Sequence, residues 1–101
     1  MTYNIVYSFK LKIPENKVKL AREISPKFLS EHVDDNGNII TGDVQLHYLG
    51  EYEKEFRQQI IELLKEFKAT GSFIVSVYGG DFVEYKFEGG EIKEIRDLLV
   101  T

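Results

Sequence analysis

Two histidines, a run of oxygen-bearing turn residues and five serines are where this sequence could do chemistry. His32 has Asp34 and Asp35 nearby and His47 has Asp43, the residue types of a general base or a metal site. Neither histidine has an i, i+4 partner that a helix would bring onto the same face, so any convergence must come from the tertiary fold. Asp34-Asp35-Asn36-Gly37-Asn38 sets oxygen donors around a glycine, as a calcium loop does. The register is wrong: with Asp34 opening the loop, the glycine belongs where Ile39 stands and the closing bidentate glutamate where Gln45 stands. The same composition is what a tight turn requires. Ser8, Ser25, Ser30, Ser72 and Ser76 stand in no nucleophile-elbow context, phosphate-cradling glycine patterns are absent, and with zero cysteines there is no thiol nucleophile or thiolate ligand. No cofactor is implied.

Val77-Tyr78-Gly79-Gly80-Asp81-Phe82-Val83 resembles the Gly-Gly-Asp-Glu-Phe hairpin of diguanylate cyclases, in which acidic residues at a strand turn handle metal and nucleotide. The resemblance covers about six residues. The second acidic residue is missing here, and Phe82 follows Asp81 directly. Two glycines and an aspartate are also what a plain hairpin turn needs, and that is the reading taken.

Charge is unevenly placed. Residues 1–30 hold six basic side chains (Lys10, Lys12, Lys17, Lys19, Arg22, Lys27) against Glu15 and Glu23, yet the whole chain carries a formal net charge of −4. Single-stranded nucleic acid is disfavoured as a partner, because a weak binder using those N-terminal lysines would need stacking aromatics beside them. Tyr3, Tyr7 and Phe9 instead share the face opposite Lys10 and Lys12.

The elements that must position these groups follow from periodicity. Tyr3, Ile5, Tyr7, Phe9, Leu11 and Ile13 alternate with Thr2, Asn4, Ser8, Lys10 and Lys12, interrupted only by Val6, which predicts a strand with one buried face. After Pro14 the period changes, and Val18, Leu20, Ala21 and Ile24 fit an amphipathic helix. Ser25-Pro26 breaks it, with Ser25 a suitable cap for a short turn of Pro26 to His32 that packs Phe28 and Leu29. A second one-faced strand is expected over residues 39–49, with Ile40, Val44, Leu46 and Tyr48 on one side, Thr41, Asp43, Gln45 and His47 on the other, and Gly42 marking a bulge. Tyr52, Phe56, Ile60, Leu63, Leu64 and Phe67 predict a helix over residues 51–69, with Glu51, Glu53 and Glu55 at its positive end and Gly71 as its C-terminal cap. Phe73 to Tyr78 reads as a central strand, and Val83, Tyr85 and Phe87 as its hairpin partner. At the C-terminus, Gly89-Gly90 suits another hairpin turn, but Ile92, Ile95 and Leu99 are spaced for a helix, to which the reading leans.

The sequence therefore predicts one α+β domain over residues 1–101, ordered β-α-β-α-β-β-(α or β). Its sheet is mostly antiparallel, with a mixed sheet as the variant, and has about four or five strands with helices packed on one face. The composition, 43% hydrophobic and 30% charged, with no stretch near the ~18 apolar residues of a membrane span, fits a cytoplasmic protein. The expected function is protein binding by a small accessory module, inhibitor-like or regulatory and without catalysis. Lys10, Lys12, Asp43, Gln45, His47, Tyr78, Glu84 and Lys86 are its candidate contact residues on or beside the open sheet face. Pairing with a second copy through an edge strand is a variant. The competing class is an enzyme or small-ligand domain built on His47, Asp43 and Glu84.

Overall fold

The computed structural model describes residues 2–100, without the side chains of residues 2, 3, 48–51 and 100. The expected aims of Tyr3 and Tyr48 and the placement of Glu51 therefore lie outside the described residues. In chain order the elements are β1 (Thr2–Lys12), a 3-10 turn (Glu15–Lys17), α1 (Val18–Ile24), α2 (Lys27–Ser30), β2 (Asn38–Ile40), β3 (Val44–Leu49), α3 (Gly50–Glu66), β4 (Thr70–Val77), β5 (Phe82–Glu88), β6 (Glu91–Asp97) and a terminal 3-10 turn (Leu98–Val100). All strands belong to one six-stranded, wholly antiparallel open sheet, more strands than the four or five expected. No helix among the described residues is long and apolar enough to cross a membrane.

The long β1 is the organising strand. One side of it pairs along its length with β4, while the other is shared, β3 on its first half and β2 on its second. β3 and β4 flank β1 and both run antiparallel to it, so they are parallel to each other and α3 is the crossover that connects them. β5 and β6 extend the sheet beyond β4 by two hairpins.

The alternation in β1 is as expected. Ile5, Tyr7, Phe9, Leu11 and Ile13 are buried and join Phe73, Val75 and Phe87 of the neighbouring strands beneath Val18, Ala21, Leu29, Ile60, Leu64 and Phe67 of the helical layer. Aromatic rings dominate the contact, with Phe9 stacked on Phe73 at 4.6 Å between centroids and Tyr7 edge-on to Phe73 at 5.0 Å, the offset and T-shaped geometries that ring quadrupoles favour. Among the described residues no helix lies over the opposite sheet face.

Five expectations need correction. The strand over residues 39–49 is two strands. Ile39 pairs Leu11 and Val44 pairs Tyr7, so the segment between them holds one residue more than the stretch of β1 it passes, and parity inverts across Gly42. Ile39 is therefore buried, and Ile40, expected inside, is 60% exposed on the open face. Secondly, Gly71 does not cap α3. The helix ends with Lys68 in left-handed geometry (φ 57°) and Ala69 donating to the Leu64 carbonyl, while Gly71 lies inside β4. Thirdly, Ser25 caps no helix; the residue before α2 is Pro26, and no side chain caps it. Ile24 and Tyr52, counted among the apolar positions, are exposed at the rims of their helices.

Lastly, residues 91–97 form a strand. Gly89 (φ 56°) and Gly90 (φ 85°) make a two-residue turn of the type that needs two left-handed residues, and Glu88 pairs Glu91 across it. Lys86 then faces Glu94 while Phe87 faces Ile92, which leaves Lys93 as an extra residue in a bulge. The bulge puts Ile92 and Ile95 on the same face three residues apart. That spacing imitates a helix.

Candidate functional site: the open sheet face

Cross-strand registers assemble the open face row by row. Lys10 stands beside Ser72, then Lys86, then Glu94, and one row along Ser8 stands beside Ile74, then Glu84, then Arg96. A third row runs from Gln45 through Val6 and Ser76 to Phe82, and a fourth pairs His47 with Asn4. Tyr78 continues β4 past its end, its amide donating to the Asn4 carbonyl at 2.9 Å, and its side chain is 78% exposed.

Lys10, Lys12, Gln45, His47, Glu84 and Lys86 therefore share this face, with Asp43 and Tyr78 at its margins. The structure does not bring His47, Asp43 and Glu84 into one constellation. Asp43 accepts a hydrogen bond from Ser8 Oγ at 2.9 Å, His47 lies on the next rows beside Asn4, and Glu84 lies two strands beyond Ser8, roughly 10 Å at the usual strand spacing. Glu84 is held instead by Arg96 at 3.6 Å, and Lys86 by Glu94 at 3.6 Å. Lys10 and Lys12 have no ion pair among the described residues. A groove of about 560 Å³ runs over this part of the face, lined by Lys10, Ser72, Glu84, Lys86, Glu88 and Lys93.

Four apolar side chains accompany the polar ones, Ile40 beside Lys10 and three others together. Val6, Ile74 and Phe82 follow the outward parity of their strands and lie at the end of the face nearest the β4–β5 turn, next to Tyr78. Ile40 apart, the face is thus sorted into an apolar, aromatic end and a charged end.

The turn residues singled out for chemistry serve structure. Asp34 Oδ1 accepts from the amides of Asn36 and Asn38 at 2.9 Å each, and Oδ2 accepts from Asn38 Nδ2 at 3.1 Å. These bonds, those from Asn38 foremost, hold the Asp34 carboxyl below its ordinary range. His32 is exposed beside Glu31. Among the described residues no group of three or more histidine or acidic side chains is arranged to hold a metal.

Sequence reasoning missed a buried polar network under the sheet. Glu53, expected as a surface residue of the first helical turn, is 2% exposed, and Arg57 one turn later is 6% exposed. The Arg57 guanidinium donates through Nε (2.9 Å) and a terminal nitrogen to both oxygens of Glu53, and its other terminal nitrogen donates to Asp81 (3.1 Å) and to Tyr85 Oη (3.2 Å). The Tyr7 hydroxyl also donates to Glu53. Burial, and then the bond to Glu53, push the Tyr7 phenol far above its ordinary value, so it stays a donor. The signal was present: residues 53, 57, 60, 64 and 67 form one helical stripe, and an i, i+4 Glu–Arg pair inside an apolar stripe must be buried together. Asp81 of the Gly-Gly-Asp turn is thereby a tether between the β4–β5 hairpin and α3.

No protein-family model, no curated protein and no solved structure matches the chain.

Proposed function

We propose that the chain is a protein-binding module, without catalysis of its own, that takes a partner protein flat against the open face of its sheet. The observation that carries this reading is the sorting of that face. Val6, Ile74, Phe82 and Tyr78 provide an apolar and aromatic end, bordered by Glu84, Lys10 and Lys86, with Lys12 one row further out. An apolar centre with a charged margin is the usual anatomy of a protein interface, and a projecting tyrosine is a frequent anchor. Lys10 lies in the body of the sheet and Lys12 at the end of β1, between Asn38 and Thr70, and neither has an ion pair among the described residues. The matching partner brings an apolar projection to Ile74 and carboxylates to these two lysines, which set orientation and association rate. The alternative enzymatic reading would require His47, Asp43 and Glu84 to converge on one reacting atom, and their separate rows give it no support.

The test is an affinity series on a partner isolated with the wild-type chain. Ile74→Lys is expected to weaken binding about tenfold or more, the loss typical of a central apolar contact. Ile24→Lys, at the rim of α1 on the helical side, is expected to leave it unchanged. Loss of binding with Ile24→Lys and retention with Ile74→Lys would assign binding to the helical side and overturn the proposal.

A further inference from the structure

Among the described residues β6 is the outer strand of the sheet, paired only with β5, and its sequence from Glu91 to Arg96 reads Glu-Ile-Lys-Glu-Ile-Arg. We propose that two copies of the chain join edge to edge through β6, antiparallel about a two-fold axis between Lys93 and Glu94. In that register Glu91 faces the partner's Arg96, Ile92 faces the partner's Ile95, and Lys93 faces the partner's Glu94, each pair occurring twice.

Three observations carry the proposal. The first is charge. Moving the register by one residue sets Glu94 against its own copy or Lys93 against its own copy; moving it by two sets Lys93 against Arg96 or Glu91 against Glu94. Like charges directly opposite are destabilising and opposite charges stabilising, so one register stands out. The second is the bulge. Residues opposite each other in an antiparallel pair must point to the same face. Lys93, which lines the open-face groove, and Glu94, which reaches Lys86, both point to that side, and Ile92 and Ile95 both point to the helical side. A regular strand laid along this edge falls out of step at the bulge. A second β6 carries its own bulge at the facing position, and every pair agrees in face. Bulges and charges ordinarily protect an edge from foreign strands. Here they select the chain's own copy.

The third is apolar exposure. Ile95 is 59% exposed although it points to the helical side, because α3 does not reach across to the outer strand. In the dimer it packs on the partner's Ile92. Two of the ion pairs that now occupy these side chains, Lys93 with Glu91 at 3.2 Å and Glu94 with Lys86 at 3.6 Å, lie at the surface, where exchange for an intermolecular pair costs little. The Arg96 guanidinium has donors enough to keep the largely covered Glu84 at 3.6 Å while it meets the partner's Glu91. A two-fold axis perpendicular to the sheet keeps both open faces on one side, so the dimer presents one continuous surface.

Sedimentation of the full chain over a concentration series tests this. The mass is expected to rise from the 11.7 kDa of one chain towards twice that value. Lys93→Glu and Glu94→Lys each set like charges against each other twice, and each is expected to weaken association about tenfold or more. Mixed in equal amounts they restore opposite charges at both positions, and the mixed dimer is expected to form. Amide exchange on the wild-type chain needs no variant: protection in β6 is expected to rise with concentration. A wild-type chain that keeps the single-chain mass with unchanged β6 protection would overturn the proposal, as would a dimer that both variants form alone as readily as the wild type.

Discussion

Arg57 donates four hydrogen bonds, two to Glu53 and one each to Asp81 and Tyr85, from a position where water scarcely reaches it. A pair so buried is costly to break and inexpensive to replace, because the penalty falls on whichever charge is left alone. Arg57→Ala, which strands Glu53 among apolar neighbours, is expected to lower unfolding stability by about 3–5 kcal/mol in urea titration. The double replacement Glu53→Met with Arg57→Leu strands no charge and is expected to cost less, about 1–3 kcal/mol for the buried Tyr7 hydroxyl that loses its acceptor. Equal losses from the single and the double change would show that the network, and not the stranded charge, sets the stability. Asp34 gives a pH prediction of definite sign. Its folded carboxyl lies below the ordinary 3.8, so its contribution is complete above that value and is lost as the pH falls through the folded one. Asp34→Asn is expected to flatten the fall of Tm with acid below about pH 4, and an unchanged slope would remove Asp34 from the account. Neither arrangement follows from composition alone. Glu53 reads as a first-turn glutamate until its helical stripe is traced through Ile60 and Leu64.

At the scale of elements, regular periodicity was legible and its interruptions were not. β1, α3 and the β4–β5 hairpin follow from alternation or helical spacing, because nothing in them breaks the count. The extra residue around Gly42 inverted the assignment of Ile40, and the extra residue at Lys93 turned a strand into an apparent helix. One inserted residue exchanges the two faces of a strand, so these are the places where parity cannot be read from sequence. The second case rests on the turn before it. A Cβ on Gly90 would come within 2.6 Å of the Lys65 carbonyl oxygen, whereas one on Gly89 meets nothing within 4 Å. Both positions have positive φ, so either alanine carries a backbone cost of roughly 1–2 kcal/mol, and Gly90→Ala adds a collision with α3. Thermal melts are expected to show a clearly larger loss for Gly90→Ala than for Gly89→Ala. Equal losses would contradict the close approach of this turn to the end of α3.

At the scale of the whole molecule, the fold places its helices, its aromatic core and its buried ion pair on one side of a single sheet and leaves the other side to solvent. The sequence predicted this division, and the open-face membership of Lys10, Lys12, Gln45, His47, Glu84 and Lys86, because parity along β1 and β5 reaches them without a break or, for β3, restarts after one. It did not predict the apolar end of the face. Val6 looked like an interruption in β1, and Ile74 was absorbed into an evenly apolar strand; only the register sets them beside Phe82 and Tyr78. Backbone amide NMR of the labelled chain with its partner, mapped onto the structure, is the most direct test of whether this face does the work. Shifts and broadening are expected along Val6 to Lys10, Ile74 to Tyr78 and Phe82 to Lys86, with α1 and α3 unchanged. Perturbation centred on α3, with the open face silent, would contradict the account.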